Sequence, residues 1–140
     1  MLAKVPTAIR YLCMKERLKD RMRLEHILEA INRLQTHAGS LSRDELETDV
    51  LRYYGIVKNI EIIGEAVRML SNDFKSAYSE VPWLSIANMR NFLVHEYFQV
   101  DSDTVWAVIH GDIVELKTSV EHYLSDINWE EWSDNVEPSK

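Results

Sequence analysis

The run RNFLVHEY, residues 90–97, sets an arginine, a histidine and a tyrosine within an apolar helical pattern. Histidine titrates near neutrality and can take a proton from a ribose 2′-OH or give one to a 5′-leaving oxygen. Arginine stays charged and offers a planar fork to phosphate oxygens, so it can stabilise a phosphorane-like transition state. Arg90 and His95 would together suffice for metal-free RNA cleavage, with the RNA's own 2′-OH as nucleophile. Their spacing is the difficulty. Five residues of α-helix leave two side chains about 140° apart, whereas a plain surface pair sits three or four residues apart. Asn91 and His95 share one face, so Asn91 can orient the imidazole, while Arg90, Val94 and Tyr97 share another. Two arrangements would bring Arg90 and His95 to one substrate. The helix ends near His95 and swings it round, or the motif lies on a two-fold axis and copies from two chains build one pocket. The plain alternative is a helix-end histidine meeting the dipole and a solvated arginine.

Other chemistries find less support. Of the histidines His26, His37, His95, His110 and His122, none lies three residues after a glutamate, and H-E-x-x-H is absent. A di-iron or zinc-hydrolase helix pair is therefore not indicated, and no metal or cofactor is expected. His26, His110 and His122 read as surface or boundary residues. The glycines are isolated, which leaves no phosphate-cradling loop.

The elements that would carry the motif are all helical. No run alternates with period two, and no proline falls between residues 7 and 81. A first helix is expected over 15–37, with a stripe of Leu24, Ile27, Leu28, Ile31 and Leu34. The loop AGSLSRDE follows, in which Ser42 and Glu45 form a capping-box pattern. A second helix over 48–70 would bury Val50, Tyr54 or Tyr53, Val57, Ile60, Gly64 and Val67, with Gly64 admitting a close neighbour. Glu61, Glu65 and Arg68 fall on another face, where a solvated salt-bridge ladder is the plain reading. Pro82 suits the first turn of a third helix running into the mid-nineties. A fourth, capped by Asp101 or Ser102, carries the seam Val105, Ile109, Ile113, Leu116, Val120, Tyr123 and Ile127. The expected partition is an extension over 1–14, a bundle over 15–126 and an acidic tail over 127–140, frayed unless Trp129 and Trp132 dock on the body.

Composition narrows the function classes. The chain has 140 residues, which suits one domain, and one cysteine, Cys13, which excludes a disulfide framework. No run reaches membrane-spanning length and no signal peptide is indicated, so the cytoplasm is the default expectation. Net charge is −7, but residues 1–37 balance to +4 and residues 38–140 to −11. Any nucleic-acid contact must therefore be local and arginine-rich, and the acidic remainder would suit a basic protein partner.

The runs RLEHILEAI (23–31), KNIEIIGEAVRML (58–70) and VPWLSIANMRNFLVHEYFQVD (81–101) stand in an order and separation that resembles the HepT family of HEPN-domain proteins. The likeness covers roughly residues 15–125, and Arg90-x4-His95-x-Tyr97 looks like the family's R-x4-H-x-Y motif. The resemblance implies an all-α, four-to-five-helix up-and-down bundle that forms a two-fold homodimer. It implies a metal-independent endoribonuclease whose catalytic pair, from both protomers, is Arg90 and His95, with Asn91 beside it. It further implies the toxin of a toxin–antitoxin pair, silenced when an MntA-like nucleotidyltransferase attaches AMP to Tyr97. Glu61 and Glu65 match the family's IEIIGEA segment and would then face the dimer cleft or solvent. Two other readings stay open: a non-catalytic nucleotide- or substrate-binding subunit of a nucleotidyltransferase, and a helical dimerisation domain with no ligand.

Overall fold

A computed structural model describes residues 7–95 and 102–134, with backbone alone for residues 10–15 and 90–95. Among the described residues every regular element is helical: α1 (Thr7–Leu18), α2 (Asp20–Ala38), α3 (Arg43–Thr48), α4 (Val50–Met69), α5 (Asn72–Ala77), α6 (Trp83–His95), α7 (Ser102–Ala107), a π turn (Val108–Asp112), α8 (Ile113–Asp126) and α9 (Trp129–Asp134). The fold is all-α, as the periodicity predicts. α4 packs against both α2 and α6, and α2 also packs on α8. α2 and α4 run antiparallel. Arg33, late in α2, donates to Asn59 at 2.9 Å, while Arg23, early in α2, shares a groove with Arg68 and Met69 at the end of α4. None of the described helices is long and apolar enough to cross a membrane.

The expected stripes form the core. Leu24, Ile27, Ile31 and Leu34 of α2 are buried against Ile60, Ile63 and Val67 of α4. Gly64 is buried as well. On the first turns of α4 the register is Tyr53 inward and Tyr54 outward, and Val50 is exposed rather than buried. Its place just after the Asp49 cap puts it before the turn that meets α2. Ser42 and Glu45 form the expected capping box, with Glu45 N–H donating to Ser42 Oγ at 3.1 Å.

The seam of the fourth helix has a local cause. Two successive four-residue steps would drift about 80° on an ideal α-helix. Val105, Ile109 and Ile113 nevertheless all stay buried. The π turn Val108–Asp112 lies between them, and its wider i→i+5 turn removes the drift.

Among the described residues, helix extends further at both sides of the bundle than the periodicity predicts. The first helix does not start at 15. α1 begins at Thr7 and is separated from α2 at Lys19, whose N–H bonds to the Glu16 carbonyl. The interruption falls just before Asp20, which is fully buried and bonds away from its own helix. Asp20 accepts from Ser71 N–H at 2.7 Å, from Ser71 Oγ at 2.6 Å and from Trp132 Nε1 at 3.1 Å. Arg17, also buried, pairs with Asp73 at 3.0 Å and lies over the Trp132 ring at 4.3 Å. Residues Trp129–Asp134 of the acidic tail fold back as α9, which packs on α1. Its two tryptophans join an aromatic cluster around Phe74, with Trp129 at 6.1 Å and Trp132 at 5.6 Å between ring centroids. Phe74 also meets Tyr78, Trp83 and Tyr123, so α5, α6, α8 and α9 share one hub.

Candidate active site

α6 carries the Arg90–His95 motif, and its beginning is well anchored. Trp83 and Ile86 are buried, and Trp83 Nε1 donates to the Tyr78 carbonyl at 2.9 Å. Pro82 precedes the helix and its carbonyl accepts from Ile86 N–H at 3.1 Å, as the proline signal predicts. Arg90, Asn91 and His95 all have helical backbone, and His95 is the last residue of α6. The offset of about 140° between Arg90 and His95 therefore holds along this helix. Tyr97 lies outside the described residues, as does Asp101, one of the two expected caps. The other, Ser102, begins α7, where its hydroxyl donates to Glu47 at 2.7 Å.

Glu61 and Glu65 are brought together on α4, one turn apart, in a trough of about 600 Å³ shared with Arg23, His26, Glu29 and Arg33 of α2. Each glutamate has a cation on its own helix. Lys58 lies 3.8 Å from Glu61 and Arg68 lies 3.1 Å from Glu65, which matches the salt-bridge ladder expected of their spacing. Glu61 is not freely solvated, being only 24% exposed, while Glu65 is more open at 39%. The basic residues of α2 that share their trough carried no separate signal in the sequence. Arg23 and His26 sit three apart on a stretch whose cations are spread around the helix. Their role at this groove depends on the antiparallel placement of α4.

Beside α6, a second groove of about 310 Å³ has an apolar floor, including Ile86, Met89 and Leu116, and a rim of Glu80, Asp112 and Glu115. At its edge Tyr123 donates to Glu80. Burial, with the Glu80 bond second, pushes the Tyr123 phenol far above its usual range, and the same bond lowers the Glu80 carboxyl. This rim carries negative charge, so it does not suit a phosphodiester. Among the described residues, no three His, Cys, Asp or Glu side chains converge as metal ligands. His26, His110 and His122 are exposed.

The Ribonuclease HepT-like family model matches residues 27–123, from the middle of α2 almost to the end of α8. The chain belongs to the HepT-like ribonuclease family. Within the family it is similar to the probable ribonuclease HepT of Thermococcus cleftensis, at 36% identity over 70% of this chain and 89% of that one. It is similar also to a protein of Caldanaerobacter subterraneus subsp. tengcongensis, named provisionally as an RNase, at 39% identity over 72% of this chain and 90% of that one. A third relative, from Methanocaldococcus jannaschii, is named as a gamma-glutamylcyclotransferase and, provisionally, an RNase. It is 32% identical over 75% of this chain, and the match spans 47% of that longer protein. No solved structure gives a significant match. HepT-like membership accounts for the matching blocks on α2, α4 and α6.

Proposed function

We propose that this HepT-like chain is a metal-independent endoribonuclease that acts as the toxin of a toxin–antitoxin pair. What carries the reading is Arg90-x4-His95 on one helix of a chain in this family. Arg90 and His95, contributed by two copies of α6 about a two-fold axis, line one cleft. His95 takes the proton from the ribose 2′-OH as its oxygen attacks phosphorus, and the P–O5′ bond breaks. A protonated histidine, from the partner copy or by return of the same proton, gives its proton to the leaving 5′-oxygen. Arg90 holds the non-bridging oxygens as their charge grows. Asn91, one turn before His95, orients its ring. Glu61 and Glu65 support the cleft from α4.

Silencing belongs to the same reading and rests on the place of Tyr97 in the sequence. Tyr97 lies two residues beyond His95. An AMP attached there by a cognate nucleotidyltransferase antitoxin adds bulk and a negative phosphate at the site meant for RNA, and so excludes it. In the attachment, the tyrosine oxygen attacks the α-phosphorus of ATP, pyrophosphate leaves, and the phenolic proton goes to solvent or base. The test is growth on expression of the chain alone. Arrest by the wild type, relieved by His95→Ala or by co-expressed antitoxin, is expected; growth unaffected by the wild type would contradict the toxin reading.

A further inference from the structure

We infer that Lys19, Arg23 and Arg68, meeting where the start of α2 faces the end of α4, bind a backbone phosphate of RNA away from the scissile bond. The inference rests on the ribonuclease reading for its ligand, and its own ground is a third groove, of about 400 Å³, at the start of α2. Among its lining side chains are three cations, Lys19, Arg23 and Arg68, against one carboxylate, Glu16, and Arg68 also pairs with Glu65 outside the groove. That balance stands out in a chain with 23 acidic and 16 basic residues. The Nε of Arg23 is buried and has no hydrogen-bond partner among the described residues. Other arginines use the same atom: Arg17 on Asp73, Arg21 on Glu25 and Arg33 on Asn59. A buried donor without an acceptor is costly, and a turn of the guanidinium toward the groove would let an anionic oxygen satisfy it.

Position adds to the argument. Arg23 and Met69 line this groove and also the trough that holds Glu61 and Glu65, so the two adjoin there. From Lys19 to Arg33 the α2 wall extends about 21 Å. A polynucleotide anchored at Arg23 would have a course along the bundle, whereas a free phosphate would use only the end of it. The trough itself is balanced, with Arg23, Arg33 and Lys58 against Glu29, Glu61 and Glu65, so the basic anchor is the groove at Lys19 and Arg23, the local contact that an acidic protein needs to hold RNA.

The experiment is fluorescence anisotropy with a labelled 2′-O-methyl oligoribonucleotide, which cannot be cleaved, between about 50 and 200 mM KCl. Lys19→Gln/Arg23→Gln should bind about tenfold more weakly at equal salt. Its log–log salt slope should be shallower by about 0.7 for each phosphate that the protein no longer neutralises. Arg23→Lys should keep most of the slope, Glu16→Gln should tighten binding, and Arg43→Gln, on α3, should change neither. Inorganic phosphate should compete only weakly. Unchanged affinity and slope in a double variant whose unfolding midpoint matches the wild type would overturn the site, and leave the nuclease reading intact if the wild type cleaves RNA. Arg23-dependent binding by a wild type that cleaves no RNA would keep the site and remove the nuclease reading.

Discussion

Trp132 Nε1 donates to the carboxylate of Asp20 at 3.1 Å across 112 residues of sequence. One bond thus ties the last helix to the junction of the first two, and Ser71, at the turn from α4 to α5, donates to the same carboxylate twice. Trp132→Phe keeps the ring near Phe74 but leaves the buried carboxylate one donor short. Urea unfolding should show a loss of about 1–3 kcal/mol. A loss below about 0.5 kcal/mol would mean that solvent replaces the indole N–H.

Asp20 also predicts a pH signature. Burial raises its pKa above the usual 3.8, a shift that the Ser71 and Trp132 bonds and Arg17 only partly offset. The folded chain therefore holds this proton to higher pH than the unfolded chain does. Its contribution to stability is complete below the unfolded pKa and is lost as pH rises through the folded value. The stability of the wild type minus that of Asp20→Asn should fall as pH rises from about 4 and then level off. A difference that rises over that window would contradict the assignment.

Phe74 is the hub of the aromatic cluster and is fully buried. Phe74→Ala should cost about 3–5 kcal/mol. Because Trp129 and Trp132 both rest on it, tryptophan emission should shift to the red even where the variant stays folded. An unaltered emission maximum would show that α9 docks without it.

Glu61 and Glu65 separate a structural role from a functional one. Their ion pairs are partly exposed and of the i,i+3 kind, each contributing about 0–1 kcal/mol. Glu61→Gln/Glu65→Gln should shift the unfolding midpoint little, yet lower the kcat/KM of RNA cleavage by about tenfold or more if they support the cleft. Equal loss of stability and activity would return them to the salt-bridge ladder.

The seam from Val105 to Tyr123 and the stripe from Leu24 to Leu34 were legible because a helix that buries one face must repeat its apolar residues. The capping box at Ser42 and the start of α6 after Pro82 were legible because each is a local rule. The ends were not. Lys19 carries no helix-breaking chemistry, and α1 parts from α2 there because Asp20 turns to Ser71, 51 residues away. The acidic sequence around Trp129 and Trp132 reads as a frayed end until Phe74 and Arg17 supply what the rings cover. For the site, residue types named Arg90 and His95 as candidates, while the grouping of Arg23 and His26 with Glu61 and Glu65 needed the antiparallel α2–α4 pair.

Whether Arg90 and His95 cleave RNA without a metal is measured by the rate of oligoribonucleotide cleavage by purified protein in excess EDTA, with product ends resolved by mass. Wild type should cleave and leave 2′,3′-cyclic phosphate ends. His95→Ala should be slower by about 10²–10⁴-fold and Arg90→Ala by about 10²–10³-fold, both with unchanged unfolding midpoints. Cleavage that EDTA abolishes, or that His95→Ala leaves undiminished, would contradict metal-free cleavage by this pair.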